Sequence, residues 1–365
     1  MTRSPLDHQL SAKQLLELSE KLGTGFRHLS DVETIEVNPT PREVIRKDDK
    51  TILYQYLTAS ENTGDGEDDN TRITPTTPLL IVYALVNRPY MMDLEPSRSM
   101  LANLVREGVT TYLLDWGYPD ASDEFVTLDD YLFDYLDSAV DTVMNRHSCN
   151  SVNLLGVCQG GVFSLCYTAA RPKRIKNLIT MVTPVDFHTD DNLLSQWMRT
   201  LDVEAMVDAL GNVPGELLNF TFLSLKPFDL TAIKYLDMID HADDVERLEM
   251  FMRMEKWIND SPDQAGAAFA EFVRAFFINN AFVNDNLEIG GHRISLADIT
   301  VPLLNIIASR DHLVPPSSSR PLETLCGSSD YHVHEEDAGH IGLFVGSSSS
   351  RRVAQTISNW LVEHE

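Results

Sequence analysis

Residues 151–161 read Ser151-Val152-Asn153-Leu154-Leu155-Gly156-Val157-Cys158-Gln159-Gly160-Gly161, an apolar run closed by a Gly-x-Cys-x-Gly turn. The stretch 151–157 has β-branched residues and no charge, as a strand buried on both faces requires. Gln159 through Ala170 then reads as a helix of small and apolar residues, stopped at Arg171-Pro172. A strand that turns directly into a helix presses their backbones together, so Gly156 and Gly160 omit side chains where none fits. The helix N-terminus aims the positive end of its dipole at Cys158 and favours the thiolate. Cys166, on the following helix, lacks that setting and reads as core. Cys149 and Cys326 show no ligand spacing.

A strand–nucleophile–helix turn of this form is the nucleophile elbow of the α/β-hydrolase fold, with sulfur where oxygen usually sits. In that fold the partners follow in chain order, acid and then His, on loops after late strands. Residues 301–308 form an apolar strand by composition, and Ser309-Arg310-Asp311-His312 is the loop beyond it. Residues 331–336 read as a further strand, followed by the loop Ala338-Gly339-His340-Ile341-Gly342. An amphipathic helix over 351–364, with Val353, Ile357, Trp360 and Leu361 on one side, closes the chain. Cys158, Asp311 and His340 are therefore the expected triad: His340 takes the thiol proton, and Asp311 holds its other nitrogen. Asp330 and Asp337 compete for the acid role, which the apolar strand before Asp311 favours for Asp311. His312 either touches substrate or packs, whereas His332 and His334 alternate along a strand and read as structural.

Upstream, 79–85 is an apolar strand, 99–108 a helix, 110–114 a second strand ending in Asp115-Trp116-Gly117, and 127–146 an amphipathic helix. This alternation predicts an α/β fold with a mostly parallel, doubly wound sheet. Position alone assigns the oxyanion donors to the backbone N–H groups of Val86 and Gln159. The expected organisation is an N-terminal helix and extended segment over 1–75, a catalytic core over 76–184 and 291–365, and a helical insertion over 185–290. The first segment holds a helix over 10–22 and an acidic loop over 61–70. In the insertion, 193–201, 217–223, 245–259 and 264–279 read as helices rich in Met, Phe, Leu and Trp. It is either a cap over Cys158 or an ordinary subdomain with its own core. Phe276, Phe277 and Phe282 are lid contacts or, more simply, packing.

Six segments carry a resemblance that goes beyond fold: YALVNRPY at 83–90, LDWGYP at 114–119, GVCQGG at 156–161, TPVDF at 183–187, RDHLVP at 310–315 and GHIG at 339–342. Together they resemble the catalytic subunit of class III polyhydroxyalkanoate synthases, including that type's short length. The resemblance implies polymerisation of (R)-3-hydroxyacyl-CoA, typically 3-hydroxybutyryl-CoA, with release of CoA and no cofactor. It makes Cys158 the acylated nucleophile, His340 the general base and Asp311 the triad acid, with a further role for Asp311 in activating the incoming hydroxyl. His312 matches the position that follows the catalytic Asp. A second synthase subunit, an active dimer or hetero-oligomer, and a cytoplasmic site on polyester granules are also implied.

The chain carries a formal charge of −26, and Arg supplies 20 of its 29 basic residues. That balance disfavours nucleic acid and anionic membranes, both of which need basic surfaces. It also opposes anionic CoA, so the way in must be locally basic or salt must screen the repulsion. An acidic, Lys-poor surface suggests a high-salt cytoplasm. Four unpatterned Cys argue for a reducing compartment, and no leader, membrane span or metal-spaced His/Cys cluster is legible. Two other functions fit parts of the pattern. One is a Cys-dependent thioesterase or lactone hydrolase, which the insertion at 185–290 argues against. The other is a non-catalytic granule coat, which has no use for a Cys/Asp/His set.

Overall fold

The computed structural model describes residues 35–57, 74–226 and 244–365, together with Lys234 and Met238. The helix expected over 10–22 and the acidic loop over 61–70 lie outside the described residues. Eight strands form the central sheet: β1 (Arg42–Asp48), β2 (Thr51–Tyr56), β3 (Leu79–Val82), β4 (Thr111–Asp115), β5 (Val152–Val157), β6 (Ile175–Met181), β7 (Leu303–Ala308) and β8 (Tyr331–Glu336). Their order is β1-β2-β4-β3-β5-β6-β7-β8. From β4 to β8 every pairing is parallel, whereas β1 and β2 form an antiparallel hairpin laid against β4. The sheet is thus the mostly parallel, doubly wound one expected.

Residues 42–56 were expected to belong to a separate extended segment, but they extend the sheet at its edge. β1 reads REVIRKD and faces solvent over much of its length, so it shows no core periodicity. β2 alternates instead, and Leu53 and Tyr56 are buried.

The central strands are mostly apolar because helices cover both faces. Leu80 and Val82 of β3 join the core on one side, and Leu79 and Ile81 the core on the other, as the two-residue period of a strand dictates. Each such side chain stabilises the fold by about 1.5–3 kcal/mol when fully buried. Polar residues inside the sheet satisfy one another: Asn177 Nδ2 donates to Asn153 Oδ1 at 2.9 Å, and Thr180 Oγ1 to Asn305 Oδ1 at 3.0 Å. The closing helix Ser349–Glu363 buries Val353, Ile357, Trp360 and Leu361. The amphipathic run at 127–146 opens as a wide π-type turn over Asp130–Leu136 before the regular helix Asp137–His147.

Between β6 and β7 lie the helices Leu193–Met198, Val203–Leu210, Gly215–Leu225, Val245–Asn259 and Gly266–Phe272, the last continuing as a π turn over Val273–Ile278. Val203–Leu210 was not foreseen, although its ends are written locally. Asp202 caps it by accepting from the Ala205 N–H, and Gly211 follows at positive φ. A hairpin of Leu287–Ile289 and His292–Ile294 straddles the expected boundary at 290/291, and Leu287, Ile289 and Ile294 all join the core. Phe276 and Phe282 are packing residues. With Phe163, Phe187 and Phe272 they form edge-to-face and tilted pairs that join the insertion to the helix after Cys158. Among the described residues, no helix is long and apolar enough to cross a membrane.

Candidate active site

Cys158 sits between β5 and the helix Gln159–Ala170 with φ 54° and ψ −119°. A left-handed backbone at a residue with a side chain is strained by roughly 1–3 kcal/mol and persists only where its surroundings over-determine it. The surroundings do so. The Cys158 N–H donates to Met181 O at 2.9 Å, and Cys158 O accepts from the Gly161 N–H at 2.9 Å. A Cβ on Gly156 would strike the Gly161 backbone, and one on Gly160 would strike the carbonyls of Val82 and Tyr83. One on Gly161 would meet Thr183, which ties the TPVDF segment to the elbow.

Asp311 and His340 emerge from the loops after β7 and β8. The Asp311 side chain is fully buried. Its Oδ1 accepts the N–H groups of Leu313 at 2.8 Å and Val314 at 3.0 Å, and its Oδ2 accepts His340 Nδ1 at 2.6 Å. Arg310 N–H donates to Ala338 O at 3.0 Å, so the two loops are stitched together beside the pair. Burial disfavours charge on the His340 ring, but the Asp311 carboxylate and then Cys158 outweigh it and raise its pKa well above the usual 6.5. Asp311 is the carboxylate on His340. Asp330 instead faces His332 at 2.8 Å and His364 at 3.3 Å, and exposed Asp337 pairs with Arg310 at 2.8 Å. His312 is half-buried beside Asp311.

The elbow helix returns the N–H groups of Gly161 and Val162 to Cys158 O, and no acceptor among the described residues takes the Gln159 or Val86 N–H. Gln159 also acts through its side chain, because its Oε1 accepts the Leu85 N–H at 3.0 Å. Sequence position could not reveal that contact, which binds the loop after β3 to the elbow helix.

The same loop is held by residues that the motif segments contain without explaining. Arg88 donates to Gly117 O and Asp115 Oδ2, each at 2.7 Å, and lies 4.1 Å over the Tyr118 ring. Trp116 Nε1 donates to Tyr83 O at 2.9 Å. YALVNRPY and LDWGYP are therefore two halves of one contact. Cys166 is buried in the core, where desolvation pushes its thiol pKa up. Asp330, His332 and His364 bring ligand atoms within 4.8 Å of one another, a grouping no sequence spacing announced. Direct hydrogen bonds already hold it: His332 Nε2 to Asp330 at 2.8 Å and His364 Nδ1 to Trp360 O at 2.6 Å.

A family model described as the alpha/beta hydrolase fold matches residues 77–347. The chain is 48% identical over 351 residues to the poly(3-hydroxyalkanoate) polymerase subunit PhaC of Allochromatium vinosum, covering 96% of each chain. It is 46% identical over 353 residues to the subunit of that name from Thiocystis violacea, again covering 96% of each. Among solved structures, MenH from S. aureus superposes with a TM-score of 0.52 at 15% identity, over 87% of this chain and 99% of that one. That likeness speaks for the fold alone.

Proposed function

The chain belongs to the poly(3-hydroxyalkanoate) polymerase family on the α/β-hydrolase fold, and from that premise we propose that it polymerises (R)-3-hydroxyacyl-CoA, with 3-hydroxybutyryl-CoA as the leading substrate. The observation that carries the reading is the strained Cys158 turn together with the buried His340–Asp311 pair, whose imidazole feels the Cys158 charge. In the first step the Cys158 thiolate attacks the thioester carbonyl. The oxyanion that forms is held by the N–H groups of Val86 and Gln159. Collapse expels CoA, whose sulfur takes a proton from the His340 imidazolium, leaving an acyl-Cys158 thioester and a neutral His340.

In the second step neutral His340 removes the proton from the hydroxyl of another acyl-CoA, with Asp311 stabilising the imidazolium. The alkoxide attacks the acyl-enzyme, an ester bond forms and the Cys158 thiolate departs. Sulfur suits this cycle because substrate and intermediate are both thioesters, so neither direction of transfer is strongly uphill. The insertion acts as a cap that keeps water from the acyl-enzyme, and His312 contacts the acyl unit.

The relatives are named as polymerase subunits, which supports a second synthase subunit and an oligomeric active form; residence at the surface of the polyester belongs to the same reading. The charge of −26 calls for a locally basic way in for CoA or a salty medium. One assay tests the whole reading. The purified protein, alone and with a candidate second subunit, receives 3-hydroxybutyryl-CoA while CoA and insoluble polymer are followed. CoA with polymer is the expected result. Free hydroxy acid without polymer would make the protein a hydrolase, and no turnover in any combination would make it a scaffold.

A further inference from the structure

Leu85 C=O and Val86 N–H belong to one planar trans peptide group, so whatever fixes the oxygen also aims the hydrogen in the opposite direction. The oxygen is fixed from the helical insertion. Gln264 Nε2 donates to Leu85 O at 3.0 Å in a buried contact across 179 residues of sequence, and Gln264 itself is 3% exposed. The same nitrogen faces the carbonyls of Pro262 and Asp263, each at 3.3 Å. Three acceptors around one end of the amide require the NH2 group there and exclude the flipped orientation. The Gln264 backbone is in turn pinned by reciprocal hydrogen bonds with Val213, at 2.8 and 2.9 Å.

The peptide before it is clamped from the other side, by Leu85 N–H donating to Gln159 Oε1. Two neighbours of Gln264 secure the rest of the loop. Ser261 Oγ donates to Asn87 Oδ1 at 3.0 Å, and Trp257 Nε1 to Arg88 O at 2.8 Å. The result is a loop whose Val86 N–H finds no acceptor among the described residues and whose orientation depends on the seated insertion.

We propose that Gln264 is a positioning residue for acyl transfer: by holding Leu85 O it aims the Val86 N–H as an oxyanion donor, so the chemistry requires the insertion to be seated. The inference rests on the reading of Val86 as an oxyanion donor. Its magnitude follows from the sensitivity of such donors, whose loss costs about 100- to 1000-fold in turnover; misaiming one costs less.

The test compares the full chain with Gln264→Leu and Gln264→Met, both of which keep bulk without any donor. Turnover is read as CoA release from 3-hydroxybutyryl-CoA under the conditions in which the wild type makes polymer. Cys158 carboxamidomethylation by iodoacetamide, followed on its own peptide, needs the thiolate but no oxyanion hole. The expected result is a kcat lowered by about 10- to 100-fold in both variants, with KM and the Cys158 alkylation rate within about twofold of wild type. Should Gln264→Leu fail to fold, the unbranched Gln264→Met, closer to glutamine in shape, carries the test alone. Either folded variant turning over at the wild-type rate overturns the inference, as does alkylation falling in step with turnover, which would mean a general collapse of the site. A wild type that alkylates normally yet releases no CoA takes down the acyl-transfer reading and this inference with it.

Discussion

The elbow at Gly156–Gly161 and the seam beneath the helical insertion are held by different physics. At the elbow, contacts are local and steric. Three glycines admit no Cβ, and one cysteine accepts a positive φ because backbone hydrogen bonds on both sides leave it no alternative. At the seam, contacts come from side chains far apart in sequence: an aromatic cluster of Phe163, Phe187, Phe272 and Phe276, and three hydrogen bonds from Trp257, Ser261 and Gln264 to the loop after β3. The elbow sets Cys158 on its strained turn, and the seam shapes what surrounds it. Chemistry and positioning are therefore separable by substitution.

The sharpest break of that division comes at Cys158, the proposed nucleophile. Cys158→Ser keeps the turn and should lower CoA release by about 10⁴-fold or more, with an unchanged denaturation midpoint. Substantial polymer from this variant would remove Cys158 from the mechanism. Next in size is Asp311→Asn, expected to cost about 10³- to 10⁴-fold in turnover because the imidazole loses its orienting acceptor.

The same pair sets a pH signature. The pKa of His340 lies above the ordinary 6.5, so the neutral base that the proposed hydroxyl attack uses is scarce at pH 6.5 and grows as pH rises. The acid limb of the turnover profile should thus lie above 6.5, and residual activity in Asp311→Asn should show a limb moved toward acid. The stability contribution runs the other way. A raised folded pKa adds stability in full below the unfolded value and loses it as pH rises through the folded one. A wild-type limb below the ordinary histidine range would contradict the charged pair.

On the seam side, Phe272→Ala should cost about 3–5 kcal/mol in denaturant unfolding. In the folded fraction, Cys158 should alkylate at the wild-type rate. Matching losses of stability and thiol reactivity would show that the two regions are one mechanical unit. The smallest effect is expected outside both. Arg146 pairs with Glu43 at 2.7 Å, with both side chains about half exposed, and Arg146→Ala should change stability by less than about 1 kcal/mol. A larger loss would mean that the β1–β2 hairpin matters to the core more than its exposure suggests.

Much of this molecule is legible in one dimension, and the reasons are specific. A buried parallel strand needs a mostly apolar run, so β3, β4, β5 and β7 announce themselves. A nucleophile elbow needs glycine on both sides, and Gly156 and Gly160 bracket Cys158 at the required spacing. Asp311 and His340 follow late strands in the order the fold imposes. What escaped reading lacked such a local signature. β1 is polar because it lies at the sheet edge. The helix Val203–Leu210 is short, and only its caps mark it. Asp115 and Arg88 stand in recognisable motifs, yet nothing in either motif says that they bond to each other.

Sequence alone determined the strand–Cys158–helix turn, because backbone crowding there is a neighbour-to-neighbour matter that glycine spacing records directly. Only the tertiary structure decided that Gln159 spends its side chain on Leu85 N–H and that Gln264, 179 residues away, holds the adjoining carbonyl. Such contacts depend on how the insertion settles against the sheet, and a glutamine carries no mark of which distant oxygen it will meet.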